Sequence, residues 1–274
     1  MTAPPVKSKL PRQSPKASEL VLHDGGPQAP STKILSYFQS PCSLWLALDI
    51  ETHELIPNTA LYQGWITGQF GHPCCVNENQ LQDLRIVRIG WSIGHFDASS
   101  DPLTKSLLVK PDGFVIAETA AAKHGITTEK AMAVGSPISR VLGEFLADFA
   151  DVKRRCGRVC GHQLEFDMGV IKREMEHAGL DNELVSWSNA ATNGFCTMNP
   201  DVTGWVCADL VEHMRHHTFM GPRRAIGLKD MVRALLPGRS GLLNQRHEAG
   251  AGSRMTWLVL RELFRQAARA TADT

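Results

Sequence analysis

The sequence predicts an α/β domain with a central mixed β-sheet flanked by helices, and three observations carry that prediction. Leu44-Trp45-Leu46-Ala47-Leu48-Asp49-Ile50 is a continuous apolar run, the pattern of a strand buried on both faces. Two further strand-like runs follow before any helical pattern, so the first strands are expected to be antiparallel neighbours. After Thr119 the apolar period lengthens to three and four residues, with short strand candidates between the helices.

Taken in order, residues 1–33 hold Pro4, Pro5, Pro11, Pro15, Pro27 and Pro30 among Lys, Ser and Gly. Such a segment buries too little apolar surface to offset the cost of ordering, and a disordered, Pro-rich basic tail is predicted. Order is expected from Ile34, giving a single domain over 34–274. The second strand spans 85–96, where Ile86, Val87, Ile89, Trp91, Ile93 and Phe96 supply the apolar side chains. The third is Ser106-Leu107-Leu108-Val109-Lys110, ended by Pro111-Asp112-Gly113. Between the first two lies an insert at about 54–82, longer than a compact domain usually tolerates. Ile138, Val141, Leu142, Phe145, Leu146 and Phe149 recur at helical spacing behind Pro137. Arg158-Val159-Cys160-Gly161-His162 is a short strand candidate, and a helix over 166–178 ends at Gly179. Further helices are predicted at 207–217, 226–236 and 253–270, and no internal repeat is present.

The 274 residues are 43% hydrophobic, enough for a sizeable core. No stretch reaches the roughly 20 uncharged apolar residues of a membrane span, and the first thirty lack the apolar core of a secretion signal. An intracellular protein with no membrane partner is expected. Seven cysteines, an odd number without regular spacing, suit free thiols in a reducing compartment. Net charge is +1, but residues 153–274 carry 17 basic against 13 acidic side chains, making that half the better phosphate-facing wall.

The chemistry-bearing residues fall in three segments. Asp49-Ile50-Glu51 sets two carboxylates at i and i+2, hence on one face of a strand end. An otherwise apolar strand gains nothing from two adjacent like charges unless a cation offsets them. A solvated strand-to-loop junction is the bland alternative. In Gly161-His162-Gln163-Leu164-Glu165-Phe166-Asp167, Asp167 lies in the first turn of a helix, where the macrodipole alone would favour an acid. Arg246-His247-Glu248-Ala249-Gly250-Ala251-Gly252 precedes the last amphipathic helix, and a histidine there is ordinarily structural.

Together these segments resemble the DEDDh branch of the 3′–5′ exonucleases, relatives of polymerase proofreading subunits with an RNase H-like fold. The resemblance spans about residues 42–270. Its first motif is Leu48-Asp49-Ile50-Glu51-Thr52, followed by Arg85-Ile86-Val87-Arg88-Ile89-Gly90 and His124-Gly125-Ile126-Thr127. The second motif is Gly161 to Asp167, then come Phe195-Cys196-Thr197-Met198 and Gly227-Leu228-Lys229-Asp230-Met231, which leads to the histidine segment. The resemblance implies that Asp49, Glu51 and Asp167 hold two Mg²⁺ or Mn²⁺ ions, hard cations that prefer carboxylate oxygens. It implies His247 as general base, Thr52, His162 and Phe166 beside the terminal nucleotide, and the 3′ end of single-stranded DNA or RNA as substrate. Nucleoside 5′-monophosphates would be the products. A catalytically silent member that only binds nucleic acid or a partner is the competing reading.

Two positions depart from the family pattern. Its fourth carboxylate falls five residues after the histidine, where this chain has Gly252; Gln163 stands where relatives usually carry asparagine. Three accounts of Gly252 stand open: a degenerate relative, a variant of an active enzyme, or a site completed by a group such as Glu248. Glycines at 250 and 252 lower helix propensity by about 1 kcal/mol each, so local helix stability does not explain them. Elsewhere, His72, Cys74 and Cys75 lack the paired spacing of a structural zinc site. Arg215, His216, His217, Arg223 and Arg224 read equally as a phosphate track or a solvated surface. Trp187, Trp205 and Trp257 sit among apolar neighbours and read as core.

Overall fold

The computed structural model describes residues 43–56, 81–192, 194–198, 227–245 and 247–272. The basic tail, most of the insert, the helix expected at 207–217, His72, Cys74, Cys75, Trp205 and the basic residues 215–224 lie outside the described residues. Three strands come first, β1 (Leu44–Thr52), β2 (Ile86–His95) and β3 (Leu103–Leu108). Helices α1 (Glu118–His124), α2 (Thr128–Val134) and α3 (Ile138–Arg154) follow, then β4 (Arg158–Gly161), α4 (Leu164–His177), α5 (Asp181–Thr192) and β5 (Phe195–Cys196). The chain closes with α6 (Leu228–Leu235), a 3₁₀ segment at Pro237–Gln245 and α7 (Ala249–Ala272).

The five strands form one mixed sheet in the order β3-β2-β1-β4-β5, with β1, β2 and β3 antiparallel and β4 and β5 parallel to β1. The expected sheet type is therefore present. β1 lies at its centre and is buried on both faces, as its unbroken apolar run requires. Its alternation divides the core. Leu44, Leu46, Leu48 and Ile50 pack with α3, α4 and α5 residues such as Phe145, Phe149, Ile171 and Trp187. Trp45 and Ala47 face the other way, into the layer of α6 and α7 with Met231, Trp257 and Leu258. By the same alternation, Asp49 and Glu51 fall on the α7 side of the sheet. Trp187 and Trp257 are core, 1% and 0% exposed.

Helix α7 lies unusually close to the sheet. A methyl group at Gly90 of β2 would stand 2.1 Å from the backbone carbon of Ala249 and 2.3 Å from the nitrogen of Gly250, so only glycine permits this approach. α7 begins at Ala249, four residues before the predicted start. Glu248 explains the difference: its backbone oxygen accepts from Gly252 N (2.8 Å) and its side chain from Ala251 N (2.7 Å), an N-cap that offsets the poor propensity of the two glycines. Three helices, α1, α2 and α5, go beyond the sequence expectation, because they are short or mixed in composition and show little apolar period. β3 starts three residues earlier than expected, paired with β2 from Leu103 onward.

α4 is anchored to β2 by a buried ion pair. Glu174, 1% exposed, accepts from Arg85 Nε (2.9 Å), Arg85 Nη2 (3.2 Å) and Ile86 N (2.8 Å). Among the described residues, Cys156, Cys160 and Cys196 form no disulfide. Among the described residues, no helix is long and apolar enough to cross a membrane.

Candidate active site

A pocket of about 560 Å³ opens where β1 ends and α4, α6 and α7 begin. Asp49, Glu51, His162, Phe166, Asp167, His247 and Gly252 all line it, so residues spread over two hundred positions of sequence meet at one place. Asp49 and Glu51 arrive on β1, opposite Gly90 and Arg88 of β2. Asp167 arrives in the first turn of α4, as expected, and is 3% exposed. Thr52 is not among the lining residues; its hydroxyl turns back to donate to Glu54 O at 2.7 Å, at the irregularity that ends β1.

The three acids are electrostatically uncomfortable. Burial, then Glu51 and Glu248, push the Asp49 carboxyl well above the usual carboxylate range. Burial drives Glu51 up to about 7 against the opposing pull of Lys123 and Arg88. Burial and the neighbouring Asp49 likewise raise Asp167, which takes a hydrogen bond from the Ile50 backbone through one oxygen. Its other oxygen, Oδ2, is buried with no hydrogen-bond partner. An orphaned carboxylate oxygen beside two desolvated acids fits a hard divalent cation, because the pull of Lys123 does not offset their desolvation. Among the described residues, no group of three or more His, Cys, Asp or Glu side chains closes to metal-binding distance of one point. Asp49 is turned toward Gly252: a methyl group there would lie 2.0 Å from Asp49 Oδ2 and 2.7 Å from Cγ. Gly252 is thus explained by a close approach, not by helix propensity, and it sits inside α7 rather than at its start.

His162 Nδ1 lies 2.8 Å from Thr197 Oγ1, whose hydroxyl donates to Gly161 O at 3.2 Å. Burial drives this imidazole down to about 4, so at neutral pH it is uncharged. His247 is partly exposed and adopts φ 61°, a left-handed conformation that non-glycine residues rarely take; Gln163, at the N-cap of α4, adopts φ 76°. Two of the pocket's residues therefore hold backbone strain, and asparagine at 163 would tolerate that conformation better than glutamine. Glu248 is not among the residues that line the pocket. Its carboxylate is used on Ser106 Oγ (2.5 Å), Arg88 Nη1 (3.1 Å) and the Ala251 amide.

Sequence reasoning missed the basic lining. Lys123 at the end of α1, together with Lys229 and Arg233 of α6, lines the pocket. Lys123 precedes His124-Gly125-Ile126-Thr127, and Lys229 lies within Gly227 to Met231, so both belong to or adjoin the motif segments. Nothing local marks their direction. The His124 segment also plays a structural part, for Gly125 ends α1 in the left-handed region, Thr127 caps α2, and His124 Nε2 lies 3.3 Å from Thr52 O.

The sheet order and flanking layers are those of an RNase H-like fold. No family model and no curated protein matches the chain. Solved structures of exonuclease I share its fold: one has a TM-score of 0.54 at 16% identity over 83% of this chain and 42% of that one. The zinc-bound complex of E. coli exonuclease I with single-stranded DNA gives the same values, and an apo form gives 0.53 at 15% over 84% and 43%. This chain therefore spans less than half the length of those proteins.

Proposed function

We propose that this chain is a divalent-metal-dependent 3′–5′ exonuclease acting on single-stranded DNA or RNA and releasing nucleoside 5′-monophosphates. The observation that carries the reading is the set of three desolvated carboxylates from β1 and α4, with Asp167 Oδ2 orphaned, in a pocket partly lined with Lys123, Lys229 and Arg233. The likeness to exonuclease I, solved with single-stranded DNA, agrees with it. Two Mg²⁺ or Mn²⁺ ions held by Asp49, Glu51 and Asp167 would supply charge stabilisation at the attacking and leaving oxygens of an in-line displacement at phosphorus.

The chain's own groups do the rest. Lys123, Lys229 and Arg233 draw the phosphates toward the acids, a contribution that salt should weaken. Phe166 offers an apolar surface to the terminal base. His162, uncharged, can hydrogen-bond the terminal nucleotide without competing for the cations. His247 faces the pocket from the α7 side and accepts the proton of the attacking water. A second reading, a nucleic-acid-binding fold without turnover, is favoured by one observation: Gly252 brings no fourth carboxylate. End-labelled single-stranded DNA and RNA incubated with Mg²⁺, Mn²⁺ or EDTA test both. Metal-dependent shortening from the 3′ end supports the exonuclease; binding without shortening supports the silent fold.

A further inference from the structure

We propose that Glu248 is a positioning residue that fixes His247 toward the pocket through a clasp onto the sheet. The proposal rests on His247 being the proton acceptor of the reaction above. His247 holds φ 61°, a conformation that persists only where its surroundings over-determine it. The residue that follows it supplies that constraint. One Glu248 oxygen, Oε1, accepts from Ser106 Oγ of β3 (2.5 Å) and from Arg88 Nη1 of β2 (3.1 Å); the other, Oε2, accepts from Ala251 N (2.7 Å). The carboxylate thus ties the segment leaving His247 to two strands and to the first turn of α7.

The backbone around it has no slack. A methyl group at Gly90 would collide with the Ala249 and Gly250 backbone, and one at Gly250 would stand 2.8 Å from Ser106 Cβ and 3.0 Å from Glu248 Oε2. His247 therefore meets α7 at a joint closed by packing beneath and by three hydrogen bonds beside. Burial raises the Glu248 carboxyl, but hydrogen bonds from Ser106, Ala251 and Gly250 and the charge of Arg88 outweigh it and hold the group below its ordinary value. It is a carboxylate at neutral pH, as the contact with Arg88 requires.

Capping α7 and clasping the sheet are separable. Glu248→Ser keeps an oxygen able to cap the helix but cannot reach Arg88 or Ser106; Glu248→Ala loses both. Both variants and the parent would be compared by thermal melting, by NMR of the His247 imidazole, and by kcat and KM on a single-stranded oligonucleotide with Mn²⁺. Glu248→Ser should melt between the parent and Glu248→Ala, since it strands Arg88 but keeps the cap, broaden or average the His247 ring signals, and lower kcat about tenfold or more with KM little changed. Glu248→Ala should add a loss of melting temperature. A His247 ring as ordered in Glu248→Ser as in the parent would overturn the clasp, whatever the activity. An inactive parent overturns the exonuclease reading, while the ring order still decides the clasp.

Discussion

Gly252 is the position where substitution is most informative, because Asp49 occupies the space beside it. An alanine Cβ would stand 2.0 Å from Asp49 Oδ2, 2.7 Å from Cγ and 3.3 Å from Cβ. Turning the carboxylate about its own axis relieves the first contact but not the second, so Asp49 must rotate about its Cα–Cβ bond. Overpacking of that kind costs about 1–3 kcal/mol, whereas replacing a glycine inside a helix returns about 1 kcal/mol. In EDTA, Gly252→Ala should therefore be destabilised by about 0–2 kcal/mol; each kcal/mol corresponds to roughly 2–4 °C in a domain of this size. Gly252→Asp should melt lower still, since it adds a fourth acid against desolvated Asp49. With Mn²⁺ the order should reverse for the aspartate. A cation at one hundred times its dissociation constant adds about 2.7 kcal/mol, so Gly252→Asp should gain roughly 5–10 °C and outpace the parent in both that gain and turnover. The assay is a melt of the three proteins with and without Mn²⁺, followed by rates on one substrate. A Gly252→Ala variant more stable than the parent would refute the steric reasoning. A Gly252→Asp variant with no larger Mn²⁺ shift would refute the assignment of a missing ligand.

Three other outcomes are expected. In EDTA, the folded chain keeps protons on raised carboxyls that the unfolded chain has released, so stability should fall as pH rises through the Glu51 value of about 7. His53, His124 and His162, all lowered by burial, act in the opposite sense only below about 6.5; melts at pH 6.5 and 8 isolate the carboxyls, and a rising melting temperature would contradict their assignment. His247→Ala should abolish cleavage while leaving oligonucleotide affinity within a few-fold, measured by fluorescence anisotropy; unchanged turnover would remove it from the mechanism. Glu174→Ala should cost about 3–5 kcal/mol in urea unfolding, because it strands the buried side of Arg85 and the Ile86 amide; a loss under 1 kcal/mol would mean the pair is not what anchors α4.

The helices that sequence reasoning finds and those it misses differ in a physical way. α3 carries its apolar residues at helical spacing because one side packs on Trp91 and Trp187. α1 and α2 are seven residues each, too short to show a period, and are held by Gly125, Thr127 and the contact of His124 with Thr52. Of the site residues, Asp49, Glu51, Asp167, His162, Phe166 and His247 are legible in their motifs and share one pocket, while Thr52 turns away from it.

What the sequence determined by itself was the class of fold and which acids to propose, since apolar alternation and the order of short motifs are local properties of the chain. It also put a glycine at 252, where the resemblance implies a fourth carboxylate. What only the tertiary structure decided was direction and distance. That Gly252 faces Asp49 and that Glu248 serves the sheet depend on α7 resting against Gly90, a contact between residues about 160 positions apart, and that Lys123 joins the acids depends on the end of α1, where His124 meets the Thr52 backbone. Such close approach is set by the absence of a side chain at Gly90, and no local pattern encodes which backbone will rest on it.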